Sequence, residues 1–178
     1  MNIHGEALSN SSLSLFPLRR GHQEPLVLSL QPLSLGFHQR LKSRGLHVPL
    51  PPVKIARDSA GKPLRDAQGQ VLTQSDRQDE NYLAALDDYH QCVAVLSVVE
   101  SLRGSPEVTF ESPVPRTNDA EEWRTYARLV FAEMEAAGFA AGDLILLCRE
   151  ICRLSNLIDD HLTTARQNFS GSPVSSPG

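Results

Sequence analysis

Cys148 and Cys152 stand one helical turn apart, and His90 and Cys92 lie two residues apart earlier in the chain. Two helices could bring these together as the four thiol and imidazole ligands of a zinc site. Both later cysteines, however, fall on an apolar helical face, where thiols pack as small core side chains, and no C-x-x-C pair accompanies them. Packing is the expected role. His90 follows Asp87 and Asp88, the makings of a base oriented by a carboxylate, yet no serine or cysteine is placed by sequence to be its nucleophile. The adjacent pairs Asp87/Asp88 and Asp159/Asp160 point in different directions from a helix, so they read as solvated faces rather than as two carboxylates aimed at one substrate. Asp58, Asp66 and Asp76 supply oxygen donors, but calcium takes about six to eight oxygens from one compact loop. Neither G-x-G-x-x-G nor a P-loop occurs, so nucleotide phosphate binding has no support. The expectation is a protein without catalytic residues, metal or cofactor, and not an enzyme.

The elements that hold these residues follow from periodicity. Residues 57–72, RDSAGKPLRDAQGQVL, are one octapeptide written twice, with Arg, Asp, Gly and Leu at matching places. In each D-x-x-G, Asp can accept from amides ahead of it and Gly takes the positive φ that other residues resist. Each copy therefore encodes a tight turn, and a β-ribbon is expected over about 48–74, entered through the proline-broken HVPLPPVKI. Before it, EPLVLSLQPL alternates as an edge strand. Leu35 to Arg44 then reads as a short helix with Ser34 as cap and Gly45 as stop.

After the ribbon the pattern is helical. From Asp79 to Arg103 the residues Tyr82, Leu86, Tyr89, Val93 and Leu96 form one stripe, and VAVLSVVESL is apolar on more than one face, which suits the centre of a core or a surface covered by another molecule. A connection follows with a short strand at Val108 to Phe110. Asp119 caps a helix carrying Trp123, Ala127, Val130, Phe131 and Met134 on one face, and Asp143 caps another lined by Leu144, Leu147, Cys148, Ile151 and Leu154. Asn156 is placed to cap a last helix ending near Phe169. The fold class is α+β, a mainly α-helical core of four to five helices preceded by a short β-ribbon. The expected organisation is a flexible N-terminal arm over 1–24, a single domain over 25–169 and a disordered tail over 170–178.

Bulk composition fits one modest core with long arms, because 12 prolines and 11 glycines gather in stretches that cannot be helix. The net charge of -4 divides into +5 over residues 1–57 and -9 over residues 58–178. Such a split suits contact between opposed surfaces, within the protein or with a partner, and argues against nucleic acid as the main ligand, although the basic first part is the place where RNA or DNA would bind. The odd, small set of cysteines indicates reduced, cytoplasmic usage. No stretch approaches the roughly 20 apolar residues of a membrane span.

In the order VPLPPVKI, RDSAGKPLRDAQGQVL, DENYLAALDDYHQCVAVLSVV and AAGFAAGDLILLCREICRLSNLIDDHLTTARQNF, the chain resembles tail assembly chaperones of long-tailed bacteriophages over residues 46–169. The resemblance rests on the proline-led strand and Gly turns, the Asp79, Glu80, Asn81, Tyr82 cluster opening a helix, and a helical hairpin at Leu154 to Leu157. It implies a non-enzymatic protein in the host cell cytoplasm that binds tape measure and tail tube proteins during tail assembly. The alternative is a structural adaptor retained in a phage particle or injection device. The expected contact surface is Tyr82, Leu86, Tyr89, Val93 and Leu96, or the face of Trp123 and Phe131, with oligomeric state left open.

Overall fold

The structure, a computed structural model, describes residues 2–3, 6–7, 13–18 and 24–157. Its strands pair only as antiparallel ladders: β1 (Asn2–Ile3) with β2 (Glu6–Ala7), β3 (Ser14–Leu18) with β4 (Leu26–Leu30), and β5 (Val53–Ile55) with β6 (Thr73–Ser75). Among the described residues four helices complete it: α1 (Phe37–Ser43), α2 (Glu80–Leu102), α3 (Ala120–Ala136) and α4 (Ala141–Leu154). This is an α+β fold dominated by helix.

The core forms around the second half of α2. Cys92, Val95, Leu96, Val98 and Leu102 are buried there, spread over more than one face, because β4, α3 and α4 each pack against this helix. Its end is fixed to the end of β4 by a reciprocal clamp. The Gln31 amide donates to the Ser101 carbonyl at 3.0 Å, the Ser101 hydroxyl donates to the Gln31 carbonyl at 2.7 Å, and the Gln31 side chain donates to the Glu100 carbonyl at 2.9 Å. Ser101 is fully buried, so these bonds satisfy groups that would otherwise lose water for nothing.

The segment expected to be a mobile arm differs from that expectation over Ser14–Leu18. Five residue pairs join β3 to β4, from Ser14 opposite Leu30 to Leu18 opposite Leu26. Phe16 and Leu18 turn toward the core, whereas Leu15 and Pro17 face outward, and Pro17 is tolerated because β3 is an edge strand. The short strand expected at Val108 to Phe110 is not paired. That stretch is tethered instead through Glu133 on α3, whose carboxylate accepts from the Glu111 and Ser112 amides, each at 2.8 Å, and from the Ser112 hydroxyl.

Helix ends follow local chemistry, with three departures. Asp79 and Asp119 cap α2 and α3 by accepting from the Tyr82 and Glu121 amides. Ser34 does not cap α1; its hydroxyl accepts from Arg40. Asp143 lies inside α4, where its carboxylate reaches back to the Ala140 amide at 2.9 Å, one half of a capping box. Asn156 closes α4: with φ 53° it completes a C-terminal turn in which the Leu157 amide donates to the Cys152 carbonyl at 2.9 Å. The helix expected beyond Leu157 and the tail over 170–178 lie outside the described residues.

Because Leu28 is completely buried where β4 meets α2, Leu28→Ala leaves a cavity in the shared core. Urea unfolding is expected to show a loss of about 3 kcal/mol with an unchanged slope.

Candidate functional site

Among the described residues no three His, Cys, Asp or Glu side chains converge as a metal-binding group. Cys92 is buried between α2 and α3, and the Cys148 sulfur lies 4.0 Å from the Ala94 carbonyl oxygen. Burial raises the pKa of both thiols, so at neutral pH they are protonated, the reverse of what a ligand or nucleophile requires.

The helical stripes divide differently from the sequence expectation. Leu96 and Trp123 are buried, and Val93 and Phe131 are half-buried against the core. Leu96 and Trp123 are taken up by packing, whereas Val93 and Phe131 keep part of their surface exposed. Trp123 is fixed on three sides: its Nε1 donates to the Thr117 carbonyl at 2.9 Å, Tyr126 meets it edge-on at 5.8 Å, and the Arg44 guanidinium lies 3.6 Å above its ring. Tyr82, Leu86 and Tyr89 occupy the first half of α2, ahead of its first buried residue, Cys92. They are half-buried, with Leu83 exposed beside them.

The ribbon leads directly into that half of α2. Its two copies are built alike: the Asp58 carboxylate accepts from the Ala60 and Lys62 amides, and the Asp66 carboxylate accepts from the Gln68 and Gln70 amides. Gly61 and Gly69 take φ of 78° and 80° to close the turns. Where the arms meet, the backbone forms a closed ring. The Leu64 amide donates to the Ala56 carbonyl at 2.8 Å, the Leu72 amide to the Leu64 carbonyl at 2.9 Å, and the Ala56 amide to the Leu72 carbonyl at 2.9 Å. Three antiparallel arms therefore radiate from one triad, the third being β5 with β6, which the Asp76 amide extends by donating to the Pro52 carbonyl.

The sequence reading missed the third copy. Ile55-Ala56, Pro63-Leu64 and Val71-Leu72 recur at the same eight-residue period as the turns, and this apolar dipeptide was the signal that three arms, not two turns, were encoded. Apart from Ala56 the ribbon buries no apolar side chain: Val53 is 66% exposed, Ile55 45%, Leu64 42% and Leu72 42%. The arrangement offers an ordered, outward-facing apolar surface held by backbone bonds. Lys54 and Asp76 add an exposed ion pair at 2.8 Å, and that hydrogen bond, with one from the Gln78 amide, holds the Asp76 carboxyl below its ordinary range. No family model, curated protein or solved structure matches the chain.

Two outcomes follow. Asp66→Ala removes the acceptor of two turn amides and is expected to speed hydrogen exchange at Gln68 and Gln70 by roughly tenfold, with global unfolding shifted by less than about 0.5 kcal/mol. In native protein, a thiol reagent at neutral pH is expected to modify Cys92 only as fast as the core opens, which mass spectrometry of labelled peptides checks.

Proposed function

We propose that this protein works by binding other proteins, through the three-armed ribbon and the adjoining first half of α2, and that it is a non-enzymatic tail assembly chaperone of a long-tailed bacteriophage. The supporting observation is the closed triad of Ala56, Leu64 and Leu72, which keeps Val53, Ile55, Leu64 and Leu72 exposed on a backbone that needs no core. Apolar side chains presented in fixed positions to solvent are a contact surface for another chain. Tyr82, Leu86 and Tyr89 continue that surface along α2, adding aromatic groups with polar tips. On this reading the clients are the tape measure and tail tube proteins, bound in the host cytoplasm while the tail is assembled.

A ribbon that closes without a partner also suits a subunit that stays in the finished particle. Mass spectrometry of purified particles separates the two readings, since a chaperone is absent from them and an adaptor is present in fixed ratio.

Co-expression tests the proposal. Tape measure protein is expected to remain soluble with this chain and to be recovered with it in a pull-down. The double variant Ile55→Asp/Leu72→Asp is expected to lose that recovery while its unfolding midpoint stays within about 0.5 kcal/mol of the parent. Insoluble tape measure protein, with neither tail protein recovered by the unaltered chain, overturns the assignment.

A further inference from the structure

The basic first part of the chain and the acidic second part meet beside Trp123. Arg40 Nη2 lies 2.6 Å from Glu100 Oε1 and also donates to the Ser34 hydroxyl, and Arg103 Nη2 stands 3.7 Å from Glu100 Oε2. Arg44, at the end of α1, lays its guanidinium over the Trp123 ring and makes no side-chain hydrogen bond or ion pair with any described residue. Arg40 and Arg103 thus both pair with Glu100, while Arg44 feels that carboxylate without forming an ion pair with it. Burial, then the neighbouring Arg40, lowers the pKa of Arg44, and Glu100 offsets part of that effect.

A hollow of about 260 Å3 opens at this place, lined by Arg44, Arg103 and Glu100 together with Trp123, Tyr126 and Phe110. It is just below the roughly 300 Å3 at which sites for drug-sized molecules begin, so it takes one side chain with its charged end. Arg44 still has its fork of donors to give, and a planar fork matches a carboxylate.

The geometry points to a second binding site here, which takes a carboxylate next to an apolar or aromatic group, presented by a peptide segment of a partner protein. Two sources share that chemistry, an Asp or Glu side chain following an apolar residue and a free C-terminus. The inference rests on the protein-binding reading only for what carries the carboxylate. Its test uses free peptides, so its failure is distinguishable from failure to bind tail proteins.

Trp123 is the chain's single tryptophan, and its emission reports directly on the hollow. Titration with N-acetyl-phenylalanine, which mimics a C-terminus, and with N-acetyl-Phe-Asp-amide, which mimics a side chain, is expected to give a saturable change for at least one. N-acetyl-phenylalaninamide, lacking the carboxylate, and acetate, lacking the apolar group, are expected to bind at least tenfold more weakly. Arg44→Gln is expected to weaken the preferred probe about tenfold, and Arg103→Gln, whose side chain is 66% exposed and so leaves folding intact, about threefold. Should Arg44→Gln fail to fold, Arg103→Gln and the amide control carry the test. No saturable change with either carboxylate up to about 20 mM overturns the site, as does equal binding of the amide, or indifference to both substitutions.

Discussion

Enclosure of the second half of α2 is the constraint from which the rest of the architecture follows. A helix packed by β4, α3 and α4 has little room for polar groups, and those it keeps are small and paired: Ser97 donates to the Ala94 carbonyl and Ser101 to Gln31. The clamp between Gln31 and Ser101 then fixes the β3–β4 ladder on the same core, which is how a segment as polar as the N-terminal region acquires a fixed strand. Leu147 and Ile151 of α4 and Val130 of α3 complete the enclosure. Twenty-three residues of α2 span about 35 Å, and only the later part is needed for this packing. The earlier part carries the chain away from the core, and the ribbon stands at its far end.

Distance from the core dictates how the ribbon must hold itself. It has one nearly buried apolar residue, Ala56, so hydrophobic burial contributes little, and order comes from backbone hydrogen bonds and turn carboxylates instead. A three-membered ring of peptide bonds achieves this because each arm closes the next. Two links span eight residues and the closing one, between Ala56 and Leu72, spans sixteen, loops short enough for a small closure cost. The helical core thus holds the buried apolar side chains, while those of the ribbon stay exposed.

Sequence periodicity made most helices legible, since the stripes of α3 and α4 match their buried faces and Asp79, Asp119, Gly45 and Gly138 mark real ends. Direction of use was less legible. Tyr82, Leu86 and Tyr89 continue the same stripe as Leu96, and nothing in a 3.6-residue period tells which turns of a helix will meet a partner element. Trp123 looks like a contact face for the same reason, although long-range packing buries it, and Phe131 is only half-buried. β3 is hard to read because its apolar content is only Leu15, Phe16 and Leu18 around a proline, and its pairing depends on β4 docking first. The ribbon's turns were plain from D-x-x-G, but ring closure required seeing that Ile55-Ala56 is a degenerate first copy, without the Leu of the other two.

Charge asymmetry along the chain acquires a physical meaning in the folded state. Arg40 belongs to the basic first part and Glu100 to the acidic remainder, and their contact at 2.6 Å shows that part of the imbalance is satisfied internally. Arg103 makes a looser contact with the same carboxylate at 3.7 Å, whereas Arg44 lies over the Trp123 ring without an ion pair. A guanidinium spread over an aromatic ring gains cation–π attraction without using its N–H donors, so Arg44 is held in place while those donors remain unspent. Half-burial makes that state costly to leave without an acceptor, and it gives an incoming carboxylate a stronger interaction than a fully solvated arginine could offer. The exposed apolar side chains of the ribbon precede the start of α2, and the Arg44 hollow lies beside its enclosed end.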